Sequence, residues 1–340
     1  MEDRDTRRPV TVVTGFLGSG KTTLLGRVLE DPSMASTAVL VNEFGEVGLD
    51  HHLLRRVDER TVLLGSGCVC CTTREDLVGA LMELLDLDQK GEIPRLDRVV
   101  IETTGLADPA PILHTIYTDP VLQHHFSVDL VLATVDAVNG ALHLDRNPES
   151  LKQVTAADKV VVTKTDIAEP GVARGLLSRL HTMNPSARIF EAAFGEVDVD
   201  ELFRPNGAGA HAASLAGEPD ELHDTGETHS VSVTFDGAID WTAFGIWFSM
   251  LLSARGEEVL RVKGLLDVGE AGPVVLNGVQ HIIHPPEHLG EWPDEDHRSR
   301  IVFITRSIRP EELLDSLLAF RGLLGARPLP LHAEQSVAFP

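Results

Sequence analysis

The sequence predicts an α/β fold, with a doubly wound, mostly parallel sheet in a first domain and a smaller α+β domain after it. Strand-like runs alternate with helical patterns from Val10 to Phe190, which is typical of a parallel sheet with helices on both faces. Some runs, such as Lys159–Thr163, are continuous and β-branched, as expected of strands buried on both sides. Residues 205–227 interrupt the pattern with Gly, Ala, Pro and acidic residues, and predict a flexible linker.

The predicted elements can be placed in order along the chain. The strands of the first domain are Val10–Val13, Ala38–Asn42, Thr61–Leu64, Arg98–Glu102, Leu130–Val135, Lys159–Thr163 and Ala187–Phe190. The helices between them are Thr22–Leu29, Glu75–Leu87, Ala110–Tyr117, Leu151–Ala156 and Val172–Met183. The second domain has strands at His229–Phe235, Val259–Val268, Pro273–Val279 and Arg300–Thr305, and helices at Asp240–Arg255 and Pro310–Leu323. The predicted domains are therefore 1–204 and 228–340, joined by the linker 205–227.

Composition narrows the class of protein. The 340 residues include 29 basic and 52 acidic side chains, which gives a net charge of −23. Such a balance argues against binding to nucleic acid or to an anionic membrane, since both require a basic face. The N-terminus lacks the apolar core of a signal peptide, and no run is apolar enough for a membrane span. We therefore expect a cytoplasmic protein.

A glycine-rich stretch follows the first predicted strand directly. Val10–Leu25 reads VTVVTGFLGSGKTTLL, and from Gly15 it matches the pattern G-x-x-x-x-G-K-[ST], with Gly20 as the second glycine. Backbone N–H groups and the helix dipole point at a phosphate in this pattern, so the first domain is predicted to be a P-loop NTPase fold. Lys21 is expected to reach the β- and γ-phosphates, and the Thr22 hydroxyl to bind Mg²⁺. A plain glycine-rich turn is the alternative.

A carboxylate is placed at the end of a second strand. Arg98–Gly105 reads RVVIETTG, so Glu102 ends the strand and a glycine follows three residues later. Behind a phosphate loop, Glu102 is expected to hold Mg²⁺ directly or through water, and the Gly105 N–H to sense the γ-phosphate.

The residues at the end of a third strand indicate which nucleotide base is bound. Val160–Asp166 reads VVVTKTD and resembles the guanine pattern N-K-x-D. Asp166 would accept hydrogen bonds from guanine N1 and N2, and the stem of Lys164 would lie along the base. Thr163 stands where asparagine is usual, and a polar turn after a buried strand is the alternative. The order of the motifs favours GTP over ATP, with Ala192–Ala193 expected at guanine O6.

All three cysteines fall on one glycine-rich turn. Cys68, Cys70 and Cys71 form C-x-C-C within LLGSGCVCCT. Thiolates are soft ligands that select zinc or copper(I), and cobalt and nickel remain alternatives. A structural zinc site usually has four protein ligands, whereas three cysteines would leave one coordination position open. Glu43, in the acidic loop NEFGEVGLD, is expected to face the nucleotide or this metal. Structural cysteines and a redox role are the alternatives.

Five motifs occur in one order: GFLGSGKTT, NEFGEVGLD, GCVCC, ETTGLADP and TKTD. Together they resemble the CobW family of metal-handling P-loop GTPases, relatives of the nickel chaperones HypB and UreG in the SIMIBI class. The C-terminal part is similar to the second domain of that family through VLRVKGLLDV and the pattern around Trp292 and Arg300–Ile304.

The resemblance implies a protein that binds GTP·Mg²⁺, hydrolyses it slowly and passes a transition metal, zinc first, from the cysteines to a client metalloprotein. Lys21 and Glu102 would be the catalytic residues, and the phosphate contacts would extend to Gly18, Ser19 and Thr23. Three alternatives remain open: an activator of one cobalt or iron enzyme, such as nitrile hydratase or the cobalt chelatase of the cobalamin pathway; a non-catalytic metal sensor or buffer; and an ATP-dependent kinase or transferase. Assembly into a homo-oligomer is also left open.

Overall fold

The computed structural model describes residues 7–41, 62–64, 74–204 and 228–330. The chain forms two compact units, and each is described by itself. The acidic loop with Glu43, the cysteine turn and the predicted linker lie outside the described residues. The predicted domain limits therefore stay predictions.

The first unit contains a parallel sheet of seven strands in the order β3-β2-β4-β1-β5-β6-β7. The strands are β1 (Arg8–Gly15), β2 (Thr37–Val41), β3 (Val62–Leu64), β4 (Arg98–Glu102), β5 (Phe126–Asp136), β6 (Lys159–Thr163) and β7 (Arg188–Glu191). The predicted doubly wound α/β fold is confirmed. Because β1 lies between β4 and β5, the segments that leave these three strands meet at the carboxyl edge of the sheet, where such folds bind ligands.

Eight α-helices of the first unit lie in the described residues. They are α1 (Lys21–Val28), α2 (Arg74–Lys90), α3 (Ala110–Thr118), α4 (Leu122–His125), α5 (Gly140–Arg146), α6 (Pro148–Ala156), α7 (Pro170–Met183) and α8 (Val199–Leu202). The five predicted helices are present, with ends that differ by a few residues. The short helices α4, α5 and α8 were not predicted. For α5 the reason is clear, because Gly140 and Leu144 are its buried residues and two positions give no helical period.

The phosphate loop is held between two buried elements. Val13 of β1 and Leu24, Leu25 and Val28 of α1 are fully buried in one apolar cluster with Val161 of β6. Burying one such side chain contributes about 1.5–3 kcal/mol. The strand that enters the loop and the helix that leaves it are therefore both fixed by the core.

A buried lysine closes the C-terminal end of the first unit. Lys159 Nζ donates hydrogen bonds to the carbonyl oxygens of Glu201 (3.2 Å), Leu202 (2.9 Å) and Arg204 (2.8 Å). These bonds satisfy carbonyls at the end of α8 that the helix itself leaves unpaired. Burial lowers the pKa of Lys159, although Asp129 and Asp158 oppose the shift.

The second unit is an antiparallel sheet with two long helices, and the predicted α+β class is confirmed. Its strands are β8 (Thr228–Asp236), β9 (Val259–Leu266), β10 (Val274–Val279), β11 (Ile282–Ile283), β12 (Glu287–His288), β13 (Ser299–Arg306) and β14 (Arg327–Pro330). Its helices are α9 (Trp241–Arg255) and α10 (Pro310–Leu324). The order is β11-β10-β9-β13-β8-β14, with β12 paired to β10. The three shortest of the C-terminal strands, β11, β12 and β14, were not predicted.

Aromatic packing forms the core of the second unit. Trp247 and Phe248 of α9 meet the ring of Phe303 at centroid distances of 5.9 and 6.4 Å. The Trp247 Nε1–H donates to Ser316 Oγ of α10 at 3.2 Å, so the polar atom of this buried ring has a partner. In the ranges that the structure describes, no helix is long and apolar enough to cross a membrane.

Candidate nucleotide site

The loop between β1 and α1, the predicted phosphate loop, makes a close turn. Gly15 has φ 142°, and a Cβ atom there would lie 2.3 Å from Thr134 Oγ1 and 2.5 Å from the Thr134 carbonyl oxygen. Ser19 Oγ shares a 2.6 Å hydrogen bond with the same Thr134 hydroxyl. The neighbouring strand β5 therefore fixes both ends of the turn, and only glycine fits at its start.

Lys21 lies inside this turn. Its side chain is buried, and Nζ donates to the carbonyl oxygens of Gly15 (2.9 Å) and Phe16 (3.3 Å). The loop thus holds an ammonium group beside the backbone N–H groups of its own turn, which is the arrangement that binds phosphate.

The two residues predicted to hold Mg²⁺ lie in contact. Thr22 Oγ1 donates to Glu102 Oε1 at 2.8 Å, and Glu102 is 4% exposed. The contact arises because β4 pairs directly with β1, so that the end of β4 lies beside the start of α1. A hydroxyl and a carboxylate are hard oxygen ligands, and this donor set fits Mg²⁺.

The segment after β4 is packed tightly against the phosphate loop. A Cβ atom on Gly105 would lie 2.7 Å from the Leu17 backbone nitrogen. Gln153 of α6, which is 1% exposed, donates through Nε2 to the carbonyl oxygens of Gly105 (3.1 Å) and Ala107 (3.0 Å). Sequence reasoning missed Gln153, because its partners are more than 45 residues away along the chain and no motif marks it.

Lys164 reaches from the end of β6 to the phosphate loop. Its Nζ donates to the Gly18 carbonyl oxygen (2.8 Å) and to Asp136 Oδ2 (2.7 Å). Asp136, at the end of β5, also accepts from the Val138 N–H (2.7 Å) and Asn139. Burial alone would raise the pKa of Asp136, but the bonds from Lys164, Val138 and Asn139 outweigh it and hold the pKa below its ordinary value near 3.8.

Thr163 links the end of β6, where the base is predicted to bind, to the predicted phosphate loop. Its buried hydroxyl donates to the Ser19 carbonyl oxygen at 2.7 Å. A Cβ atom on Gly20 would lie 3.4 Å from the same hydroxyl oxygen, so the two segments are in close contact. The threonine that departs from the usual asparagine therefore makes a bond that links the two loops.

Asp166 lies at the exposed end of this edge. Its Oδ1 accepts from the Phe194 N–H at 3.4 Å, and the Thr165 N–H donates to the Ala192 carbonyl oxygen at 3.5 Å. The segment after β7 is thereby held beside the segment after β6. Thr23, on the exposed side of α1, lies next to this segment, because a Cβ on Gly195 would be 3.4 Å from the Thr23 carbonyl oxygen.

The predicted metal ligands are not part of this geometry. Cys68, Cys70, Cys71 and Glu43 all lie outside the described residues. Within the described ranges there is no group of three or more His, Cys, Asp or Glu side chains that could hold a metal ion.

Asp136→Asn is expected to make the unfolding free energy less dependent on pH. The folded-state pKa of Asp136 lies below the unfolded value near 3.8, so its charge stabilises the fold above about pH 4 and that stabilisation is lost as the pH falls through the folded pKa. Denaturant unfolding should give wild type a larger free energy of unfolding than the variant at pH 7. This difference should shrink as the pH falls towards 3. Asp86→Asn, which breaks an exposed pair with Lys90, is the control and should show no such gap. A gap that persists unchanged at pH 3 would contradict this account.

The parallel sheet, the glycine-rich loop and the Lys21 and Thr22–Glu102 arrangement define a nucleotide-binding protein of the P-loop class. Residues 9–191 match the family model described as CobW/HypB/UreG, nucleotide-binding domain. Residues 228–321 match the cobalamin synthesis protein CobW C-terminal domain. The chain belongs to the CobW/HypB/UreG family, and the resemblance noted in its motifs is confirmed.

Individual relatives agree with this membership. The zinc chaperone YjiA of Escherichia coli strain K12 is 36% identical over 321 residues, which cover 92% of this chain and 98% of that protein. The zinc-regulated GTPase metalloprotein activator 1 of Schizosaccharomyces pombe is 28% identical over 90% of this chain and 81% of its own. The crystal structure of zinc-bound YjiA GTPase from E. coli superposes with a TM-score of 0.71 at 30% identity, covering 93% of this chain and 99% of that one.

Proposed function

We propose that this protein is a GTP-hydrolysing zinc chaperone: it binds GTP with Mg²⁺ at the carboxyl edge of the first sheet, carries zinc on Cys68, Cys70 and Cys71, and delivers the metal to a client metalloprotein. One observation supports the nucleotide-binding part of this proposal: Lys21, the Thr22–Glu102 pair and Lys164 all lie at one phosphate loop.

The chain supplies most of the charge that phosphoryl transfer requires. Lys21 and the N–H groups of the loop would neutralise charge that develops on the β- and γ-phosphates, and Thr22 and Glu102 would hold Mg²⁺. When bound there, the ion neutralises phosphate oxygens. Gln153 donates to the Gly105 carbonyl oxygen, and the Gly105 N–H would respond to the γ-phosphate.

Guanine is favoured over adenine by the chemistry of Asp166. A carboxylate accepts hydrogen bonds only, and guanine offers donors at N1 and N2. Adenine has an acceptor at N1 and no 2-amino group, so the same carboxylate would face a lone pair. Lys164 is held by Asp136 and the Gly18 carbonyl, which would place its stem along a base at Asp166.

Zinc is favoured by the cysteine cluster and by the relatives. Three thiolates suit a soft ion, and an incomplete shell suits a metal that must arrive and leave. Similar proteins are named a zinc chaperone and a zinc-regulated GTPase metalloprotein activator. Those names favour delivery to a client over a passive zinc buffer, and zinc over cobalt or nickel.

Purified protein is expected to hydrolyse GTP slowly, below about one turnover per second, because no sequence motif marks an arginine finger and such a residue contributes about 10³–10⁵ in rate where present. Phosphate release with GTP and with ATP tests this, with competition binding as a second readout. GTP should be hydrolysed and should resist displacement by equal ATP. Equal use of both nucleotides would contradict the guanine assignment, and no turnover with zinc or without it would favour the sensor or buffer alternative.

A further inference from the structure

A tight turn directly after β7 carries an unusual residue. The Glu196 N–H donates to the Ala193 carbonyl oxygen at 2.9 Å, and the two central residues, Phe194 and Gly195, have φ of 54° and 79°. Positive φ at both central positions defines a type I′ turn. Glycine, asparagine and aspartate dominate such positions, whereas a bulky residue at positive φ is a steric outlier.

Burial does not explain the choice of phenylalanine. The side chain of Phe194 is 68% exposed, so the ring gains little from the protein core to offset its unfavourable backbone. Strained residues of this kind persist where the surroundings fix them, and they cluster at ligand sites.

The surroundings do fix this turn. A Cβ on Gly195 would lie 3.1 Å from Arg27 Cγ and 3.4 Å from the Thr23 carbonyl oxygen, so the turn rests on α1, the helix that leaves the phosphate loop. The Phe194 N–H donates to Asp166 Oδ1 at 3.4 Å. Lys164 on the neighbouring loop has the same left-handed backbone, with φ 59°.

We propose that Phe194 stacks on the purine ring of the bound nucleotide, a proposal that rests on the assignment of Asp166 to the base. Asp166 can read only the edge of a base, and the faces of a purine need apolar cover. Phe194 supplies such cover, because its ring is exposed and its backbone N–H donates to that carboxylate. Because every purine has a π face, Phe194 would add affinity for guanine and adenine nucleotides alike. Asp166 would distinguish guanine from adenine.

Phe194→Asn separates this role from a packing role. Asparagine accepts positive φ, so the variant removes the ring and relieves the backbone at once. We expect the thermal unfolding midpoint of the nucleotide-free variant to stay equal or rise, while its dissociation constant for GDP increases about 5- to 100-fold. The increase should be equal for GDP and IDP, since inosine lacks the 2-amino group but keeps the ring. Phe194→Trp should retain affinity, and its indole fluorescence should change on addition of GDP.

Leu323→Asn is the matched control, because Leu323 is 66% exposed on α10 of the second unit. It should leave the affinity for GDP unchanged. Unchanged affinity in Phe194→Asn would overturn the stacking role, and so would an affinity loss accompanied by an equal loss of stability in nucleotide-free protein. If wild type binds neither GDP nor GTP, the proposed function itself fails, and that outcome is read from wild type alone.

Discussion

Lys21→Ala is expected to lower the rate of GTP hydrolysis by about 100- to 1,000-fold, because loss of one preorganised donor to the charge of a transition state costs this much. The structure adds a specific reason: Nζ of Lys21 lies within the loop and donates to the Gly15 and Phe16 carbonyl oxygens. The ammonium of Lys164 instead donates to the Gly18 carbonyl oxygen and to Asp136. Single-turnover phosphate release at saturating GTP measures the effect, and equilibrium binding of GTP separates it from weakened affinity.

Lys90→Ala is the control for this experiment. Lys90 is an exposed lysine at the end of α2, paired with Asp86, and its loss changes the net charge by the same unit. It should hydrolyse GTP at the wild-type rate. Wild-type hydrolysis by Lys21→Ala, with the variant still folded, would remove the catalytic role of the phosphate loop.

Replacing Cys68, Cys70 and Cys71 by serine together is expected to weaken zinc binding by at least about 100-fold. Zinc binds thiolate far better than hydroxyl, and loss of even an outer-shell partner costs about 10- to 100-fold in affinity. Titration of reduced protein with zinc in the presence of a chromophoric chelator measures the dissociation constant.

The matched control is His288→Gln in the second unit. His288 is an exposed histidine within 3.2 Å of Glu270, a pair that could attract zinc weakly at the surface. Its loss should leave the high-affinity site unchanged. Zinc binding that survives in the triple cysteine variant would assign the metal to histidines and acids instead, and the proposed cargo site would be wrong.

The sequence predicted those parts of the fold in which each element carries its own signal. Strand β6 is continuous and buried throughout, and α7 keeps a helical apolar period, so both were predicted. Strand β14 was missed because Arg327–Pro330 contains two prolines, which argue against a strand. It tolerates them because it pairs with β8 alone, at the edge of the sheet.

Some residues of the candidate site were likewise predictable from the sequence, and others were not. The sequence marks Gly15, Lys21 and Glu102 because strand, turn and helix chemistry are contiguous around them. Asp136 and Gln153 carry no local signal: their partners Lys164 and Gly105 are 28 and 48 residues away, and only the order of the strands brings them together. A short sequence motif therefore predicts the chemistry of one turn. The residues that hold that turn in place lie on neighbouring strands and helices, and the motif does not identify them.

The proposed delivery of zinc requires that the bound nucleotide change the affinity for the metal, and the zinc affinity of wild-type protein in its GTP- and GDP-bound forms tests this requirement most directly. The chelator titration is run on reduced protein with a non-hydrolysable GTP analogue and Mg²⁺, and again with GDP and Mg²⁺. Segments after β2, β3 and β4 leave the same sheet edge as the phosphate loop, so a change at the γ-phosphate is expected to reach the cysteine turn that follows β3. We predict dissociation constants that differ by about 5-fold or more between the two forms, the lower limit of ordinary coupling between sites. Equal dissociation constants would contradict a nucleotide-gated chaperone and would leave a zinc-binding protein whose GTP site serves another purpose.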